Sequence, residues 1–155
     1  MDDILKQLLQ EEQELQFGWF NETVAWQIGS RMVDRGINEK LPVTIDITRG
    51  IHQLFHASLP GTSPDNDEWV KRKVRLVYRF GHSSFYMGQL LKNKGKSLEE
   101  GYLVSENFYA PHGGCFPIIV KNTGLIGTIT VSGLPQEEDH NLVVQSIRDY
   151  LVQEK

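Results

Sequence analysis

Cysteine is nearly absent: Cys115 is the one thiol in 155 residues. A lone thiol excludes an intramolecular disulfide and fits a reducing compartment. A basic surplus is missing too. Lysine and arginine number 16 against 20 acidic residues, for a formal charge of -4. That balance argues against a dedicated nucleic-acid binder, because neutralising phosphates takes a cationic excess. No apolar run approaches the ~20 residues that span a bilayer. The first residues include Asp2, Asp3, Glu11 and Glu12, unlike the basic-then-apolar pattern of a secretory signal. The expectation is a cytoplasmic protein that engages neither membrane nor nucleic acid.

Recognisable catalytic patterns are scarce as well. The five histidines, His52, His56, His82, His112 and His140, fall in no zinc-ligand spacing such as H-E-x-x-H. His52 and His56 on one strand would stand ~13 Å apart, too far to share an ion. The run Gly81-His82-Ser83-Ser84-Phe85 looks superficially like a G-x-S-x-G nucleophile elbow. Phe85 takes the place of its last glycine, however, and no strand precedes it. Ser83 or Ser84 reads better as a helix cap. No residue is assigned to catalysis or to metal binding.

What is present is organised around residues 112–140. Residues 116–121 and 125–131 are β-branched runs joined by Asn122-Thr123-Gly124, and Asn and Gly tolerate the positive φ of a tight hairpin turn. Glycine loops flank this hairpin, His112-Gly113-Gly114 before it and Ser132-Gly133 after it. An acidic helix start (Glu137, Glu138, Asp139) follows, which disfavours an anion there. Upstream, residues 42–48 and 51–57 form a second strand pair about Arg49-Gly50, and 59–67 read as loop.

The helices follow from periodicity and caps. Residues 4–15 carry one apolar stripe. Asn21 caps a second helix that Gly36 closes, and the small pair Ala25 and Gly29 suits close packing on a sheet. A third, over 68–80 and stopped by Gly81, sets valines at 70, 74 and 77 against Lys71, Arg72, Lys73, Arg75 and Arg79. Lys73 falls nearest its apolar side. A fourth spans about 84–91, followed by an exposed loop at 92–96. Residues 102–109 are left open as a short strand, and a last helix covers 135–152. Helices before, between and after two hairpins predict an α+β fold, either an α/β/α or a two-layer sandwich.

Taken together, several short stretches carry a resemblance. They are Thr44-Ile45-Asp46-Ile47 with Gly50, Trp69-Val70-Lys71-Arg72-Lys73, His82-Ser83-Ser84 and Gly113-Gly114 with Pro117-Ile118. Gly127, Val131-Ser132-Gly133 and Asp139-His140 complete the set. In this order and spacing the chain resembles the GlcG/HbpS-like, or haem-degrading domain, family, and within it the branch of uncharacterised protein family 0303. The resemblance implies a profilin-like α/β/α sandwich with an antiparallel sheet of four to five strands flanked by helices. It also implies assembly into homo-oligomers, and haem or a corrinoid as a cofactor of some relatives. The chain is expected to be one such domain over 1–155, with 1–20 as an additional N-terminal helix. The central helix, basic and without an E-x-x-E pair, departs from an iron-handling pattern.

Two functional readings result. One is a homo-oligomer binding a tetrapyrrole or small organic acid through Trp69, Arg72, Lys73, His82, Ser83, Ser84, His112, Gly113 and Gly114. Phe80, Phe85 and Tyr86 would add aromatic walls. Asp139 and His140 would form a secondary polar cluster, placed between subunits. The other is a non-catalytic interaction protein whose N-terminal helix docks a protein partner.

Overall fold

A computed structural model describes residues 2–154. Helices α1 (Asp3–Glu14) and α2 (Glu22–Asn38) precede a first hairpin, β1 (Thr44–Arg49) and β2 (His52–Ser58). Helices α3 (Pro64–Phe80), α4 (Ser84–Lys94) and α5 (Leu98–Tyr102) follow. A second hairpin, β3 (Cys115–Val120) and β4 (Gly124–Ser132), leads into α6 (Gln136–Gln153). The strands form one antiparallel sheet in the order β2-β1-β4-β3.

Alternation along the strands builds the layers. Ile45, Ile47, Phe116, Ile118, Ile129 and Val131 pack against Val24, Ile28 and Met32 of α2 and Val143 and Ile147 of α6. The opposite face carries Thr44, Asp46, Thr128, Thr130, Ser132 and Cys115. It is equally buried, beneath α3. The architecture is thus an α/β/α sandwich with four strands. A parallel bridge from Phe17 to Val120 covers the β3 edge, whereas among the described residues no strand pairs with the outer edge of β2.

Several boundaries differ from the sequence expectations, each for a local reason. Helix α3 starts at Pro64, inside the expected loop: Ser63 N–H donates to Asn66 Oδ1 at 2.9 Å, and proline is preorganised for a first helical position. Helix α2 runs past Gly36, which lies buried beneath Leu59 rather than turning the chain. Helix α4 continues through Lys94, so the expected loop at 92–96 is largely its last turn, closed by Gly95. Residues 102–109 hold no strand. The capping box of Ser97 and Glu100 starts the short α5, which ends at Tyr102 and passes into loop and turn.

Other local signals hold. Asn21 caps α2 by accepting from Val24 N–H at 3.0 Å. Gly81 ends α3 at φ 74°, a conformation costly for a residue with a Cβ. Helix α1 is packed, not free. Its Leu5 and Leu8 join Leu76, Phe85, Met87, Leu91 and Leu98 in a second apolar cluster. Among the described residues no helix is long and apolar enough to cross a membrane.

Candidate functional site

Helix α3 sets a lysine among its inward residues. Val70, Lys73, Leu76 and Val77 are all buried, and a cation at that depth must find partners. Lys73 Nζ donates to Val131 O at 3.1 Å and to Asp139 Oδ2 at 3.3 Å. Asp139 comes from the first turn of α6, so α3, β4 and α6 meet at this pair. The same carboxylate accepts from Leu134 N–H (2.9 Å) and Gly133 N–H (3.3 Å), fixing the strand-to-helix loop.

Burial works against both charges. It lowers Lys73 from its ordinary value, opposed by the Asp139 charge. It raises Asp139 to about 6, opposed chiefly by Lys73 and the Leu134 N–H. The proton affinities of amine and carboxylate are drawn toward each other, which eases proton transfer between them.

The pair floors a cavity of about 300 Å³ lined by Asn66, Trp69, His112, Ser132, Gly133 and Gln136, among others. At its mouth the Trp69 and His112 rings meet edge to face, centroids 5.5 Å apart. The Arg72 guanidinium stacks 4.1 Å from the Trp69 ring centre, a cation–π contact that orients the indole. Partial burial, together with the Lys73 charge, lowers His112, so its imidazole is neutral at pH 7.

Of the residues singled out from sequence, the structure therefore joins Trp69, Lys73 and His112 around one cavity, with Arg72 supporting Trp69. Gly113 and Gly114 adjoin it. At Gly114 (φ 137°) a Cβ would press into Val131 O and Lys73 Nζ, so this glycine makes room for the protein's own lysine. Gly113 N–H donates to Gln136 Oε1 at 2.9 Å.

The remaining candidates lie elsewhere. His82 Nδ1 pairs with Glu12 Oε1 at 2.8 Å, and its ring lies 4.7 Å from that of Tyr86. Ser83 caps α4 by accepting from Tyr86 N–H at 3.1 Å. Ser84 Oγ accepts from Cys115 N–H at 3.0 Å, tying α4 to β3. Phe80, Phe85 and Tyr86 belong to the second apolar cluster rather than the cavity wall. Asp139 and His140 do not form one polar cluster either. His140, 1% exposed, turns away to Glu11 Oε1 at 2.9 Å among Phe85 and Phe116. Both residues are buried within the single chain.

Sequence reasoning overlooked Asn66, Ser132 and Gln136. Their positions beside caps and glycine loops were the only signal. It also overlooked the buried Asp46, which accepts from Thr48 Oγ1 (2.6 Å), Gln53 Nε2 (2.8 Å) and His56 Nδ1 (2.8 Å). His56 Nε2 stands 3.0 Å from Asp67 Oδ1, so that imidazole spans two carboxylates. Cys115 is no ready nucleophile, because burial pushes its thiol up to about 12. Among the described residues no group of three or more His, Cys, Asp or Glu side chains could hold a metal ion.

The profile of the haem-degrading, HbpS-like proteins matches residues 20–148. The chain belongs to the HbpS-like family. Within it, a UPF0303 protein of Rhizobium etli is 47% identical over 147 residues, covering 95% of this chain and 89% of that one. The crystal structure of the Ybr137w protein superposes with TM-score 0.90 at 34% identity, over 97% of this chain and 88% of the other. A PduOC:haem complex shares the HbpS-like fold at TM-score 0.63 and 18% identity, over 79% and 88% of the two chains. Helix α1 lies outside the residues matched by the family profile.

Proposed function

We propose that this HbpS-like chain binds a small organic acid in the cavity between α3 and α6. The observation that carries this reading is the buried Lys73–Asp139 pair beneath a Trp69–His112 mouth. A small-ligand site is a concavity into which a few polar groups converge, and here Asp65, Lys73, His112, Ser132, Gln136 and Asp139 converge beside Trp69 and Leu134. An ammonium has three donors, and Lys73 spends two on the protein. The third is available to a carboxylate.

Size favours the organic acid over a tetrapyrrole. Drug-sized ligands occupy clefts of roughly 300–1,000 Å³, so a cavity of about 300 Å³ is at the small end, below what a flat macrocycle needs. Haem iron also takes an axial ligand such as His, Cys, Met or Tyr. His82 and His140 are held by glutamates, and Cys115 is buried. His112 alone faces the cavity, across Trp69. These residues do not fit a haem enclosed within the single chain.

Calorimetric titration with glycolate, glyoxylate and haem tests the reading. Heat with the acids that Trp69→Ala weakens tenfold or more supports it. No heat and no melting-temperature shift with either acid rejects it. Self-association draws support from the open β2 edge, a ready pairing template. Beside it Trp26, 64% exposed, packs on Phe55 at 5.8 Å. Light scattering on the purified chain distinguishes a monomer, which would reject assembly, from a defined multimer. The alternative reading, a docking N-terminal helix, loses its apolar face to the α1–α4 packing.

A further inference from the structure

Lys73 has features that a carboxylate site alone does not require. A solvent-facing lysine or arginine would hold an acid without the cost of burying a cation. Here the amine is 3% exposed, at the floor of a cavity and within 3.3 Å of a carboxylate that is itself 2% exposed. Gly114 clears the space around Nζ, and Val131 O holds it from the β4 side. A buried amine beside a proton acceptor is the arrangement that makes lysine a nucleophile toward carbonyls.

We infer that Lys73 forms a reversible imine with the carbonyl carbon of a small 2-oxo acid or aldehyde acid bound in this cavity. The inference rests on the organic-acid reading above and narrows its ligand class. Lys73 Nζ passes a proton to Asp139 Oδ2, and the freed lone pair forms the C–N bond as the carbonyl π pair moves to oxygen. Asp139 returns that proton to the oxygen, and a second proton leaves nitrogen for the same oxygen. Water departs as the C=N bond forms. Of the three ammonium protons, one stays on the iminium nitrogen and two leave in the water. No oxidant or reductant is needed. Asp139 Oδ2 lies 3.3 Å from Nζ, and burial lowers the amine and raises the acid, both of which ease the first proton transfer. The ligand's carboxylate faces the His112 side of the cavity mouth.

The test uses the full chain, glyoxylate as the probe and sodium cyanoborohydride to reduce any imine, followed by peptide mass mapping. The other lysines are an internal reference. The expected result is labelling of Lys73 at least tenfold faster than any other lysine, suppressed at Lys73 alone by excess glycolate, which cannot form an imine. A second expected result is loss of this selectivity in Asp139→Asn, while the other lysines label at their parental rates. Labelling spread evenly over the other lysines, with glycolate binding intact by calorimetry, overturns the imine and leaves the acid-binding reading standing. Absence of both selective labelling and glycolate binding overturns both.

Discussion

Lys73 and Asp139 lie 66 positions apart in the chain, yet their side chains meet at 3.3 Å and neither is more than 3% exposed. The pair joins α3 to α6 across the end of β4. Its carboxylate also holds Gly133 and Leu134, so site and loop geometry are one structure.

Removing one member of this pair leaves the other as an uncompensated buried charge. Lys73→Met and Asp139→Ala are each expected to cost about 3–5 kcal/mol, and the double replacement less than their sum. Urea unfolding of the four proteins measures the coupling. The pH trend has a definite sign. Asp139, raised to about 6 from 3.8, contributes stability that is complete below 3.8 and lost as pH climbs through 6. In Lys73→Met the missing cation raises it further, so that variant should lose stability more steeply between pH 5 and 8 than the parent.

The Glu12–His82 contact predicts the opposite use of a carboxylate. The hydrogen bond that His82 Nδ1 donates to the Glu12 carboxylate raises His82 above its usual 6.5. Its stabilising contribution is therefore full below 6.5 and fades as pH rises through the folded value. His82 is over a third exposed, so solvent screening limits the effect to less than ~1 kcal/mol. Glu12→Gln should flatten the melting temperature between pH 6 and 8 with little other change. Glu12→Ala also strands the buried Ser83 N–H and should cost about 1–3 kcal/mol at every pH.

Gly29 supplies a packing test. A Cβ there would sit 2.6 Å from the Phe55 ring. Gly29→Ala gains about 1 kcal/mol of helix propensity, but overpacking costs typically 1–3 kcal/mol. Net destabilisation is expected in denaturant unfolding, with altered Trp26 fluorescence because Trp26 rests on Phe55.

Cys115 should be silent in the native state. Its thiol, fully buried and held near 12, is expected to react with a disulfide reagent at pH 8 only as fast as the protein opens. Labelling in urea should be complete. Rapid labelling of the folded chain would contradict its burial.

How much of this was legible beforehand depended on the range of the forces involved. Asn21, Ser83, Gly81 and the Asn122–Gly124 turn act within a few residues, and each performs the task its local sequence implies. Lys73 was visible as the basic residue nearest the apolar stripe of α3. Its partner was misread. Asp139 was read with Glu137 and Glu138 as an acidic helix start and with His140 as a polar cluster, but it folds inward because Gly133 and Leu134 present N–H groups and Lys73 a cation. His82, Ser83 and Ser84 drew attention as chemistry and are occupied with Glu12, a helix cap and Cys115.

The sequence by itself determined most of the helices, the two hairpins and the family, because periodicity, caps and turn residues are local properties written in order. It also left the sheet's second face undecided: alternating Thr128, Thr130 and Ser132 suit water as well as a covering helix. Only the tertiary structure laid α3 over them, buried Lys73 and brought Asp139 to it. Burial is a property of assembled neighbours, and the proton affinities that give this site its chemistry follow burial.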